Sequence, residues 1–112
     1  MECIFCKIAN KEINSTILFE DDKIIIFKDL NPEAPVHLLA IPKNHIESAG
    51  SIDPSNSYVI SHIFEKVSKL QATLKLQEGF RVVTNCGENA GQTVKHLHFH
   101  ILSGRKLNWP PG

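Results

Sequence analysis

Residues 95–102 read KHLHFHIL. His96, His98 and His100, three of the chain's six histidines, stand two positions apart with apolar residues between them. Such strict alternation predicts a strand, in which successive side chains point to opposite faces. The three histidines then line one face. Leu97, Phe99 and Ile101 line the other and pack on a helix. A lone histidine such as His62, beside an apolar helical stripe, is ordinarily a hydrogen-bonded core or surface residue. Three in register are not explained that way, because stacked imidazoles repel one another when protonated and pack poorly.

Outward from this strand the chain reads as one α+β domain over residues 1–112, a size that builds its own core. TILFED and KIIIFKDL are β-rich runs around an acidic turn, a hairpin signal. VHLLAIP is a third strand, stopped by Pro42. Asp53 and Pro54 form a helix-start pair. Ile60, Ile63, Val67, Leu70 and Leu74 then recur at steps of three and four, an amphipathic helix of about six turns. FRVVTN is a fourth strand and VKHLHFHILS the fifth. CIFCKIAN forms a short helical turn, and GRKLNWPPG is a tail that Pro110 and Pro111 keep from being helical. One long helix on an antiparallel sheet of about five strands follows, with open sheet edges that favour pairing of two copies.

Lys and Arg number 12, and so do Asp and Glu. This balance leaves no electrostatic footprint for nucleic acid or an anionic membrane. No run approaches the roughly 20 apolar residues of a membrane span. The N-terminus MECIFCKIANKE has no apolar leader segment, and the odd cysteine set (Cys3, Cys6, Cys86) is no disulfide framework. The expectation is a cytoplasmic protein.

Spacing bears on the chemistry of the triad. Residues two apart in a strand lie about 6.5–7 Å apart, whereas a zinc–nitrogen bond is about 2.0–2.1 Å. One ion shared by all three would require hard inward leaning, so a division of labour is easier. A nucleophile at His98 needs one ring nitrogen free and the other donating to an acceptor such as a backbone carbonyl. Just upstream, NCGENAGQT offers the Gly87 and Gly91 backbone and the neutral donors Asn85, Gln92 and Thr93, all suited to phosphate. Cys3 and Cys6 are metal-ligand or redox candidates. A closed zinc site needs two more ligands, for which His45 and His96 are available. Two incidental buried thiols are the alternative, and Cys86 reads as a loop thiol.

HLHFHIL, KIIIFKDLNPEAPVHLLAIPKNHI and GQTVKHLHFHILSGRKLNWPPG together resemble the histidine triad superfamily over nearly the whole chain, in particular its nucleotide-binding, purine nucleoside phosphoramidase branch. That resemblance implies a HIT-like fold and a hydrolase of nucleoside 5′-phosphoramidates. His98 would be the nucleophile of a nucleotidyl-histidine intermediate. His100 and His37 would flank the phosphate, and Asn85, Gly91, Gln92 and Thr93 would contact it. Asp29 would bind the ribose hydroxyls. Ile4, Phe5, Ile8, Phe27 and Leu30 would wall the base pocket. Trp109 would reach the active site of a second subunit in a homodimer whose sheets join. Structural Zn²⁺ on Cys3, Cys6, His45 and His96 is implied for relatives that keep the cysteines. A second hypothesis is a purine-nucleotide-binding regulatory or interaction module with low turnover. A third is a hydrolase that uses its histidines directly as metal ligands.

Overall fold

The computed structural model describes residues 3–112; Met1 and Glu2, which open the stretch read as leaderless, lie outside the described residues. A short helix α1 (Ile4–Ala9) leads into β1 (Ile17–Glu20) and β2 (Ile24–Lys28), then β3 (Val36–Pro42). The main helix α2 (Tyr58–Lys69) follows, then β4 (Phe80–Val83) and β5 (Phe99–Ser103). The acidic turn between β1 and β2 is built by Asp21, whose Oδ1 accepts the Lys23 and Ile24 N–H groups at 2.9 Å each. A short acidic side chain that bonds the backbone just ahead favours turning over continued extension.

All five strands pair antiparallel in the order β1-β2-β3-β5-β4. The histidine strand is therefore central, between β3 and β4. Alternation gives the sheet two buried faces. Ile24, Ile26, Leu38, Ala40, Phe99 and Ile101 pack against Val59, Ile63 and Val67 of α2. Ile25, Phe27, Leu39 and Ile41 point the other way, against Cys3, Phe5 and Ile8 of the N-terminal segment. This is why β2 reads as an unbroken apolar run, buried from Ile24 to Phe27. Each such fully buried aliphatic side chain contributes about 1.5–3 kcal/mol. No helix of the described residues is long and apolar enough to cross a membrane.

Two expectations are corrected. The long helix spans 12 residues, not six turns. At its start Asp53 closes a local turn: its carboxylate accepts the Ser55 N–H and its carbonyl accepts those of Asn56 and Ser57, which delays the helix to Tyr58. At its end the helix caps at Leu70, whose N–H bonds Lys66 O; the apolar spacing runs on through turns to Leu74, which close where Lys75 takes φ +62° and Leu76 N–H bonds Gln71 O. The second correction concerns the triad. The fifth strand begins at Phe99, so His96 and His98 precede it. Their backbone groups are taken elsewhere: His96 O accepts from the His98 ring, His98 O accepts from Thr84 Oγ1, and Leu97 N donates to Ile46 O. A sheet ladder cannot form from groups already used. Leu97 nonetheless packs on the α2 side with Phe99 and Ile101.

Candidate active site

The face opposite α2 carries a cavity of about 450 Å³. His37, His98 and His100 form one side of it. Strand register explains their meeting: Leu39 lies opposite His100 and His37 opposite Leu102, so His37 and His100 are diagonal neighbours on one face. Ile4, Phe5, Ile8, Phe27 and Leu39 supply apolar wall, and Asp29, Leu30, Asn85, Gly91 and Thr93 complete the lining. Asn85 and Thr93 make no side-chain hydrogen bond among the described residues. Two other hollows of about 450 and 430 Å³ lie on the surface, and neither gathers the three histidines.

The hydrogen bonds fix where the protons sit. His98 Nδ1 is 2.7 Å from the His96 carbonyl, which only accepts, so Nδ1 carries a proton, and the neutral ring then keeps its lone pair on Nε2. That is the tautomer a histidine nucleophile needs. Thr84 Oγ1 holds the His98 carbonyl at 2.8 Å. His37 is set in the opposite sense. The Glu33 N–H donates to His37 Nδ1 at 3.0 Å, so the His37 proton is on Nε2. It donates to His100 Nδ1 at 2.9 Å, which leaves the His100 proton on Nε2. Burial pushes the His100 pKa down, and neighbouring His98 and His37 add to this against the pull of Asp29. His100 is thus a neutral N–H donor beside His98, their rings 5.1 Å apart.

A second cluster backs the first. The ligand atoms of Cys3, Cys6, His45 and His96 lie within 4.8 Å of one another. His96 Nδ1 is 3.3 Å from Cys3 Sγ and 3.4 Å from Cys6 Sγ, and His45 Nδ1 is 3.3 Å from Cys6 Sγ. Ligands around tetrahedral zinc stand about 3.5 Å apart, S to N. His96 is fully buried, and its Nε2–H donates to Pro42 O at 2.9 Å, aiming the Nδ1 lone pair at the sulfurs. Two thiols and two imidazoles so placed fit zinc. Burial, then the neighbouring Cys3, pushes the Cys6 thiol up to about 11; a dication between them would reverse that by stabilising thiolate. Phe5 ties the clusters together, with its ring 5.9 Å from His96 and 5.0 Å from His98. Asp29, His37 and His100 also converge, with Asp29 Oδ2 3.3 Å from His37 Nε2. This trio does not suit a metal, because the Glu33 N–H forces the proton onto the very nitrogen that would ligate.

One expected phosphate contact, Gln92, is not brought to the cavity wall. Gln92 clips its own loop: Oε1 accepts Gly87 N–H, and Nε2 donates to Glu47 O and Val94 O. With both ends of its amide engaged, its role here is to shape the loop that presents Gly91 and Thr93. Trp109 is 80% exposed and lies over Arg81, 5.9 Å from its guanidinium, on the β4 side of the sheet. Conversely, Ile13, Asn14, Ser15, Asn31 and Glu33 line the cavity and were not anticipated. Asn31 and Glu33 sit in the NPE stretch, legible only as a chain break. His62 is held as expected of a lone histidine, with Nε2 2.6 Å from Asp21 Oδ2.

The chain as a whole is similar to known proteins. The family model described as scavenger mRNA decapping enzyme C-term binding, of the histidine triad superfamily, matches residues 2–108. A HIT family hydrolase from Clostridium thermocellum superposes with a TM-score of 0.91 at 45% identity, covering 96% of this chain and 94% of that one. The adenylylsulfatase HINT1 of Arabidopsis thaliana is 40% identical over 97% of this chain and 76% of its own length. The 14 kDa zinc-binding protein of Zea mays is 39% identical over 97% and 87%. With three histidines of complementary tautomer meeting at one cavity and a family model spanning residues 2–108, the chain belongs to the histidine triad superfamily.

Proposed function

We propose that this protein is a nucleotide-binding hydrolase that cleaves nucleoside 5′-phosphoramidates through a nucleotidyl-histidine intermediate on His98. The observation that carries the reading is the His98 tautomer, with Nδ1–H anchored on a carbonyl and Nε2 bare toward the cavity. In the first half-reaction Nε2 attacks phosphorus. A P–N bond to His98 forms as the P–N bond to the substrate amine breaks. The departing amine takes its proton from solvent, while the His100 Nε2–H donates a hydrogen bond to a phosphoryl oxygen. In the second half, water attacks phosphorus, the bond to His98 Nε2 breaks and the nucleoside monophosphate leaves, with the water proton passing to solvent. Asn85, Thr93 and the Gly91 backbone hold the phosphoryl oxygens without fixed charge, which steadies developing negative charge while letting product go. Asp29 takes the ribose hydroxyls, and Phe5, Ile8 and Phe27 receive a purine base. The Arabidopsis relative's name, an adenylylsulfatase, supports a nucleotidyl substrate.

Cys3, Cys6, His45 and His96 would hold zinc as a structural ion that fastens α1, and with it Phe5, to the approach of β5. The maize relative's name supports metal binding at such a cluster. The working unit would be a homodimer joined at the β4 edge, where Phe80 is part exposed and the Trp109 tail lies. Three free cysteines suit a reducing, cytoplasmic setting.

The test is turnover of adenosine 5′-phosphoramidate followed by chromatography of released adenosine monophosphate. His98→Ala is expected to lose on the order of 10³-fold or more in kcat. Full activity in that variant would overturn the assignment.

A further inference from the structure

Beyond the triad, Arg105 holds the backbone that dictates its protons. We propose that Arg105 is a positioning residue: by clamping the Glu33 backbone it fixes the proton on His37 Nε2, and through His37 the proton on His100 Nε2.

The contacts run in one line. Arg105 Nε and Nη2 donate to the Glu33 carbonyl at 3.2 and 2.9 Å, and Nη1 donates to Lys106 O at 3.1 Å. A two-pronged guanidinium sets both the position and the direction of its acceptor. The Glu33 N–H, on the other side of the same residue, is 3.0 Å from His37 Nδ1. The two groups belong to different peptide units, so Arg105 acts by placement and not by polarising the N–H. Gly104 brings the guanidinium there. It turns the chain off β5 at φ +90°, and a Cβ on it would stand 2.8 Å from Pro35 Cβ. The exit of β5 thus lies directly against the loop that holds Glu33.

The chemistry follows from donor and acceptor counts. While Glu33 N–H points at His37 Nδ1, that nitrogen cannot carry a proton. If the Glu33 backbone drifts, His37 can move its proton to Nδ1. Its Nε2 then presents a lone pair to His100 Nδ1, 2.9 Å away. Two lone pairs do not share a hydrogen bond, so His100 must protonate Nδ1 and lose the proton from Nε2. That removes the N–H offered to the phosphoryl oxygens while the cavity keeps its shape. The tautomer claim stands on geometry alone; its catalytic consequence rests on the phosphoramidase reading.

The experiment is long-range ¹H–¹⁵N NMR of the imidazoles in the full chain, paired with kinetics on adenosine 5′-phosphoramidate. In the wild type, His37 and His100 are expected as Nε2–H tautomers and His98 as Nδ1–H. In Arg105→Ala, His37 and His100 become mixed, His98 stays as it was, and kcat falls about 10-fold with KM within about 2-fold, a partial loss of one hydrogen-bond donor's contribution to the phosphoryl group. Arg105→Lys, which keeps the charge but not the fork, restores only part of the rate. An Nδ1–H tautomer at His37 in the wild type overturns the proposal without any variant. So does an Arg105→Ala protein with wild-type tautomers. If Arg105→Ala does not fold, Arg105→Lys carries the same comparison, and unchanged tautomers together with unchanged kcat in it overturn the proposal. Expected tautomers in a wild type inert toward phosphoramidates would leave the positioning intact and sink the hydrolase reading instead.

Discussion

Removing zinc should lower the protein's thermal stability and leave its chemistry standing. The four donors are already nearly in place without help, at 3.3–3.4 Å between sulfur and nitrogen against the roughly 3.5 Å of a tetrahedral zinc site. The apolar core between α2 and the sheet does not depend on them. Loss of the metal therefore costs only its binding linkage. With free zinc at 100 times its Kd that is about 2.7 kcal/mol. At about 4–8 °C per kcal/mol for a domain near this size, Tm should fall by roughly 10–20 °C. The assay is scanning calorimetry of zinc-loaded and chelator-stripped protein, with turnover of both measured at 25 °C. Cys6→Ser should fall in the same direction. Two results would refute the reasoning: a folded, zinc-free protein with no turnover, which makes the metal catalytic, or a Tm indifferent to zinc.

Gly104→Ala should cost about 1–3 kcal/mol, from the left-handed backbone and the 2.8 Å approach to Pro35, read as a shift in the urea midpoint. An unshifted midpoint would mean that the loop yields freely. Acid should weaken the β1–β2 turn. Burial alone would raise the Asp21 carboxyl, but the His62 side chain and the Ile24 and Lys23 N–H groups outweigh it and hold the pKa at about 2. A depressed carboxylate contributes stability that is full above its unfolded value near 4 and is lost as pH falls toward 2. His62→Ala should flatten that stretch of the stability curve, and an unaltered slope would contradict the pairing. If Asp29 binds the ribose hydroxyls, a 2′-deoxy substrate should show a raised KM on the wild type and little further penalty on Asp29→Ala; equal penalties on both would remove the role.

Much of the sheet was legible because β2, β3 and β5 carry strong apolar runs between turn signals. Alternation through Leu97, Phe99 and Ile101 correctly gave the face that meets α2, even where the backbone leaves the ladder. The four-member thiol and imidazole cluster was legible from residue types alone, since few other partners existed for Cys3 and Cys6. What escaped was carried by backbone groups. The early stop of α2 at Leu70 leaves no mark on the apolar spacing, which runs on to Leu74, and the late start of β5 rests on carbonyls taken by Thr84 and His98. Glu33 sets the His37 tautomer through its N–H, which any residue but proline supplies, so its side chain gave no clue. Gln92 looked like a phosphate donor because amides are good ones. Only the fold reveals that Gly87, Glu47 and Val94 already occupy it.

The central claim is a covalent bond between His98 Nε2 and phosphorus. His100→Ala protein, slowed in turnover, would be mixed with adenosine 5′-phosphoramidate, quenched in alkali where a histidine–phosphorus bond persists, digested, and mapped by mass spectrometry. One adenylyl group per chain is expected, on the peptide bearing His98 and on its imidazole, and none in His98→Ala. Steady release of adenosine monophosphate with no adduct at any time point, and with unchanged rate in His98→Ala, would contradict it.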